Sequence, residues 1–223
     1  MKLRKAYLDV EATYVGPIKI EEDTNGFFKD YKNWKFFFER EQNGKKGQYR
    51  GIVGIMILDF DLGENANIHK IVDKKFIQLV GEDITKDRLL CELEGITDII
   101  GYHCRTKPNW KGYTGYDFGV INGQFGVILD DLPGVTCTDL ELTAQSAKMY
   151  GGLKSIEMCI PTVPRRKSGI EDGEAEEKLL WKIAFCDDDN KKKEAWKKAL
   201  LYNREDVANL VYIEQYLRKI RIV

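Results

Sequence analysis

Residues Gly51 to Phe60 read GIVGIMILDF, a ten-residue run broken by a single acid. A run this apolar and this short is what a strand buried on both faces requires. Such a strand needs packed layers above and below it, so it implies a covered sheet. Lys5 to Val10 and Thr97 to Tyr102 (TDIIGY) read as companion strands. The aromatic-rich segment Asp30 to Glu41 (Trp34, Phe36, Phe37, Phe38) reads as an edge-like strand, and Ile68 to Val80 as holding another. Asn43, Gly44 and Gly47 mark one turn, and Gly63 to Asn67 another. Helical spacing appears in Ile84 to Glu94, at the start of Tyr116 to Leu129, and within Thr136 to Met149 after a short strand. Leu153 to Cys159, Glu174 to Phe185 and Glu194 to Ile220 are also helical, with CDDDNKKK (Cys186 to Lys193) a solvated turn. Strands dominate the first half and helices the second. The pattern predicts an α/β or α+β sheet covered by helices.

Two pairs of polar residues stand out against this frame. Asp9 and Glu11 lie in the first apolar strand, two apart, and so share one face. Tyr202 and Asp206 lie four apart in the last helical run (LLYNREDVANL) and also share a face. Burying acids in an apolar strand carries a large desolvation cost. The usual compensation is a cation, and hard oxygen ligands suit Mg²⁺ or Mn²⁺. Taken alone, Asp9 and Glu11 equally suit a strand end with solvated acids, and Tyr202 suits plain packing of a helix face.

With 223 residues the chain fits one domain with a sizeable core, and residues 1–223 are expected to form it. Lys plus Arg number 35 and Asp plus Glu 36, so any nucleic-acid binding must come from local patches rather than a global field. No apolar run approaches the roughly 20 residues of a bilayer span, and Asp9 and Glu11 interrupt any signal-like apolar core. The five cysteines are widely spaced without a C-x-x-C, which signals neither zinc nor disulfides and suits a reducing cytoplasm.

Two further acids are candidates, Asp117 in Tyr116-Asp117-Phe118 and Asp139 in Thr138-Asp139-Leu140. In chain order, LDVEAT, then IIGYH…YDFGVI, then TDLELT…GGLKSIE, then LLYNREDVANL resembles the DEDD exonucleases of the ribonuclease H-like superfamily. The tyrosine four residues before the last acid makes the resemblance one to the DEDDy subclass. The resemblance covers nearly the whole chain. It implies a mixed five-stranded sheet flanked by helices, with two divalent metal ions, Mg²⁺ or Mn²⁺, at one end. Carried over residue by residue, it implies Asp9, Glu11, Asp117 and Asp206 as metal ligands. Together with Tyr202 they form the catalytic set. Asp139 and Asp98 are the alternatives for the second-motif acid, and a helix N-cap is the structural alternative for Asp117. His103 stands where the family has an asparagine, and is expected to be hydrogen-bonded rather than a ligand. Ala12 stands where a hydroxyl residue is common, and Thr13 follows.

Two metals about 3.5–4 Å apart can activate water at one end of an in-line displacement and stabilise the leaving oxygen at the other. The resemblance implies that Asp9 bridges them and that Tyr202 positions the nucleophile, being a poor base with an ordinary pKa of about 10. The loop before Asp117 interleaves Arg105, Lys107, Trp110, Lys111 and Tyr113, types that stack on unpaired bases and hold phosphates. Thr13, Lys154, Arg165 and Arg166 are expected to add contacts to nucleic acid. Lys191 to Lys193, Lys197 and Lys198 read as a solvated face. The expected function is a 3′→5′ exonuclease acting on single-stranded DNA or RNA. The alternatives are a ribonuclease H-like binding module that does not cleave, and an endonuclease of the same superfamily.

Overall fold

The computed structural model describes residues 3–14, 34–59, 76–104, 115–164, 166–170 and 173–220, without the side chains of 173–176. Its strands are β1 (Lys5–Glu11), β2 (Thr13–Tyr14), β3 (Trp34–Lys35), β4 (Phe37–Gln42), β5 (Lys45–Arg50), β6 (Ile52–Leu58), β7 (Phe76–Val80), β8 (Asp98–Gly101) and β9 (Thr136–Asp139). Its helices are α1 (Lys86–Glu92), α2 (Tyr116–Phe125), α3 (Leu140–Ser146), α4 (Leu153–Cys159), α5 (Gly173–Phe185) and α6 (Asp189–Lys219).

Five strands form one mixed sheet in the order β7-β6-β1-β8-β9. β1 runs antiparallel to β6 and parallel to β8, β6 antiparallel to β7, and β8 parallel to β9. Every residue of β6 is buried, as the GIVGIMIL run requires. Alternation along the strands sends Ala6, Leu8, Val10, Val53 and Ile55 into a core shared with α1 and α2. Tyr7, Met56, Leu58 and Ile100 enter the opposite core, under α3, α4 and α6. Asp9 and Glu11 continue the Tyr7 face, so they emerge on the side that α6 crosses. The mixed five-stranded sheet with helices on both faces is the architecture expected from the sequence.

The segment read as one edge strand from Asp30 to Glu41 is instead broken at Phe36, and 30–33 lie outside the described residues. Phe36 turns into the first core and stacks on Phe125 at 5.7 Å, which splits β3 from β4. β4 and β5 form a separate hairpin around Asn43 and Gly44, both at positive φ. Gly47 belongs to β5 rather than to the turn; a Cβ there would meet the Phe185 ring at 2.5 Å. The strand expected within Ile68 to Val80 occupies Phe76–Val80, and the Gly63 to Asn67 turn lies outside the described residues.

The last helix begins five residues earlier than expected, because Asp188 caps it by accepting from the Asn190 and Lys191 amides. The lysines of the supposed solvated turn are therefore helical. At 31 residues, α6 spans about 46 Å. Among the described residues no helix is long and apolar enough to cross a membrane, and the five cysteines are free thiols.

One glycine controls how closely α6 approaches. Gly54 lies opposite Asp9 on β6, and a Cβ there would strike Val207 Cγ2 at 2.8 Å and the Asn203 amide oxygen closer still. Gly54→Ala is expected to cost about 1–3 kcal/mol by overpacking, lowering the melting temperature by several degrees. An unchanged melting curve would remove this packing argument.

Candidate metal centre

Tyr202, Asn203, Asp206 and Asn209 follow helical spacing on α6 and are all buried. They meet the C-terminal end of β1. There, carboxylate oxygens of Asp9, Glu11 and Asp206 all lie within 4.8 Å of one another. Asp9 is oriented by Asn203, whose Nδ2 donates to Asp9 Oδ2 at 2.9 Å and to the Asp9 carbonyl at 3.3 Å. Gln78 Nε2 in turn donates to Asn203 Oδ1 at 3.0 Å and to the Leu200 carbonyl at 2.9 Å. Gln78, Gly54 and Asp9 form one row across the sheet, and the bare Gly54 makes room for Asn203.

Asp117 lies in the first turn of α2, where Gly115, not Asp117, is the N-cap. It is buried and stands outside the three-carboxylate group, yet it feels the charges of Asp9 and Asp206. The Val10 backbone hydrogen-bonds its carboxylate, while Oδ2 is buried without a hydrogen-bond partner.

The two alternatives for the second-motif acid sit elsewhere. Asp139 caps α3 and accepts backbone N–H bonds from His103 (2.9 Å), Cys104 (3.0 Å) and Glu141 (2.9 Å). That carboxylate organises the turn after β8, holding His103 at φ +53°. His103 Nδ1 contacts Glu141 Oε2 at 2.6 Å, the hydrogen-bonded role expected of it. Asp98 pairs with Lys5, four residues before Asp9 and so about 13 Å along the strand; it accepts from Thr97 Oγ1 at 2.6 Å.

Arg166 is not a free surface contact. Its guanidinium ion-pairs with Asp206 and forks onto Glu157, with Nε to Oε2 at 2.8 Å. Asn209 Nδ2 also donates to Glu157, at 2.9 Å. Arg166 lies 5.1 Å from the Tyr202 ring centre and Lys154 Nζ lies 4.6 Å from it. Thr13 is fully buried in β2. Arg105, Lys107, Trp110, Lys111, Tyr113 and Arg165 lie outside the described residues. The residues on either side of 105–114 meet at the site end of β8, where the Tyr116 amide donates to the His103 carbonyl at 2.8 Å.

Glu157, Asn203, Asn209 and Gln78 were not singled out in the sequence. The signal for two of them was present: Asn203 and Asn209 stand three residues either side of Asp206, on its helix face. Glu157 and Gln78 carry no such local mark.

Burial raises the Asp9 pKa to about 6, with Glu157 adding to the rise and hydrogen bonds from Glu11 and Asn203 and the charge of Arg166 opposing it. Burial likewise pushes Asp117 and Asp206 well above the usual carboxylate range, reinforced in both by Asp9. Burial, then the charges of Asp206, Glu11 and Asp9, push the Tyr202 phenol upward, so it is protonated at neutral pH. Burial opposes the Arg166 charge, but Asp206 and Glu157 outweigh it and raise its pKa.

These residues fit a hard divalent cation such as Mg²⁺ or Mn²⁺. Three convergent carboxylates supply hard oxygens, and Asp117, with one oxygen buried without a hydrogen-bond partner, feels the charges of two of them. Without such a cation the raised acids hold protons more tightly folded than unfolded. Metal-free stability is therefore expected to fall as pH rises from about 3.8 through about 6, and to stay low above it. Thermal melts in chelator across this window test the sign, and Asp9→Asn should flatten the slope. A wild-type melting temperature that falls no more steeply through the window than that of Asp9→Asn would contradict it.

A family model described as the RNase H superfamily matches residues 36–218. The match includes Asp117, Glu157, Tyr202 and Asp206 and begins after β1. No curated protein and no solved structure gives a match. The matched stretch takes in most of the chain, and the mixed sheet flanked by helices agrees with it. The chain belongs to the RNase H superfamily.

Proposed function

We propose that residues 1–223 act as one DEDDy-type exonuclease domain that hydrolyses phosphodiester bonds from the 3′ end of single-stranded DNA or RNA. The observation that carries this reading is the meeting of Asp9, Glu11 and Asp206 beside the buried phenol of Tyr202. Asp9, Glu11 and Asp206 would hold the metal ions, with Asp117 supporting them. Two divalent cations there would supply an activated water and stabilise the leaving oxygen.

The chain's own residues do the rest. Asn203 and Gln78 hold the Asp9 carboxylate in one orientation. The phenol of Tyr202, protonated in the metal-free site, would donate a hydrogen bond that orients the attacking water or a phosphate oxygen. Arg166 and Lys154, over the same ring, place positive charge where a phosphate would approach.

The test uses Mn²⁺ with single strands labelled at either end and a circular single strand. The reading expects stepwise shortening of a 5′-labelled strand from its 3′ end and an intact circle. A cut circle would show an endonuclease. No hydrolysis, despite a melting temperature raised by Mn²⁺, would show a binding module.

A further inference from the structure

A second cation-lined feature lies outside the metal centre. The β4–β5 hairpin, α5 and the first turns of α6 enclose a cavity of about 380 Å³. Its charged lining is Lys46 and Arg50 from β5 and Lys192 and Lys193 from α6, and among the described residues no acid lines it. Gln48 and the half-buried Trp196 complete the polar and aromatic wall. Among the described residues none of the four cations makes a salt bridge; of the nearby acids, Asp187 pairs with Lys45 and also feels the charge of Lys192, and Asp188 pairs with Lys191 at 3.3 Å. In a chain of net charge −1, four convergent cations near a single acid that Lys45 already pairs form a local anion site.

The cavity is placed to extend the proposed substrate path. Arg50 is two residues from Ile52, the partner of Glu11 across the sheet. Along α6, Trp196 lies about 15 Å and Lys192 about 21 Å from Asp206 at 1.5 Å per residue. That distance corresponds to roughly four to six stacked nucleotides at 3.4 Å each. An aromatic face beside cations is the combination that holds an unpaired strand.

We propose that this cavity is a second strand-binding site, holding backbone phosphates of a single-stranded nucleic acid on Lys46, Arg50, Lys192 and Lys193 with a base against Trp196. The proposal rests on the nuclease reading for its occupant. The full chain is titrated with a fluorescent twelve-residue oligothymidylate in chelator, so that binding is read without hydrolysis. Lys192→Gln/Lys193→Gln is expected to weaken binding about tenfold. The slope of log K against log salt should fall by about 1.4, at roughly 0.7 per lost contact. Trp196→Phe should lose part of the oligonucleotide-induced quenching of tryptophan emission. Lys219→Gln, at the opposite end of α6, should keep both. If that pattern holds while Mn²⁺ produces no hydrolysis, the strand site stands and the nuclease reading fails. Unchanged affinity and salt slope in the double variant, or no binding by the wild type, overturns the strand site whatever the hydrolysis assay shows.

Discussion

Asp206→Asn is expected to lower Mn²⁺-dependent hydrolysis of a single-stranded oligonucleotide by on the order of 10³-fold, or about 4 kcal/mol of transition-state stabilisation. The amide keeps the shape of the carboxylate, so the packing of α6 on the sheet survives. What it removes is one of the three anions whose oxygens lie within 4.8 Å of one another. At neutral pH that anion is costly, since burial and Asp9 both oppose its ionisation. Because Arg166 keeps Glu157 as its counter-charge, the same substitution should leave the metal-free protein at least as stable as the wild type, while shrinking the melting-temperature gain on adding Mn²⁺. This opposition separates a ligand from an ordinary buried residue, whose loss would depress activity and stability together. Full activity in Asp206→Asn, or a metal-free fold several degrees less stable, would count against the centre.

The second large effect concerns Arg166. Its side chain is only 11% exposed and it faces two buried acids, Asp206 and Glu157. Arg166→Met replaces the cation with a side chain of similar reach and strands both carboxylates. Removing one member of a buried ion pair costs about 3–5 kcal/mol, which for a chain of this size corresponds to roughly 10 °C or more in melting temperature. The loss should be greatest in chelator at neutral pH and smaller near pH 4, where Asp206, its pKa raised by burial, holds a proton. Mn²⁺ should recover part of it, and the metal-induced gain should exceed that of the wild type because the guanidinium no longer competes for Asp206. A melting temperature in chelator equal to the wild type would show that the two acids need no internal counter-charge.

Much of this site was legible in local patterns. The period of two in LDVE places Asp9 and Glu11 together, and the period of 3.6 places Tyr202 and Asp206 together, whatever the rest of the fold does. The same helical spacing extends to Asn203 and Asn209, so half of the supporting hydrogen-bond network was readable from residues near Asp206. Asp117 and Asp139 were not separable in this way. Each follows a strand or loop and opens a helix, and both are buried. They part company because the Asp139 carboxylate takes three backbone N–H bonds from its surroundings, while Asp117 Oδ2 is buried without a hydrogen-bond partner and feels the charges of Asp9, Asp139 and Asp206. Glu157 and Arg166 were opaque for a related reason. Glu157 is one of 36 acids, and nothing in its neighbours shows that Arg166 and Asn209 will converge on it. The lysines of CDDDNKKK were read as part of a turn, yet an Asp188 cap moves the helix start and makes them helical; Lys191 and Lys193 are exposed, as a solvated face requires, and Lys192 is half-buried.

Residue order alone specifies periodicities, caps and turns, since these arise from contacts a few positions apart. It therefore determined a sheet with both faces covered and the pairing of acids on β1 and of phenol and acid on α6. Which pairs meet, which arginine neutralises them and which glycine lets the helix close were settled by the folded chain. Those contacts join residues as far apart as Asp9 and Asn203, and their energy exists only once water has been expelled from between them.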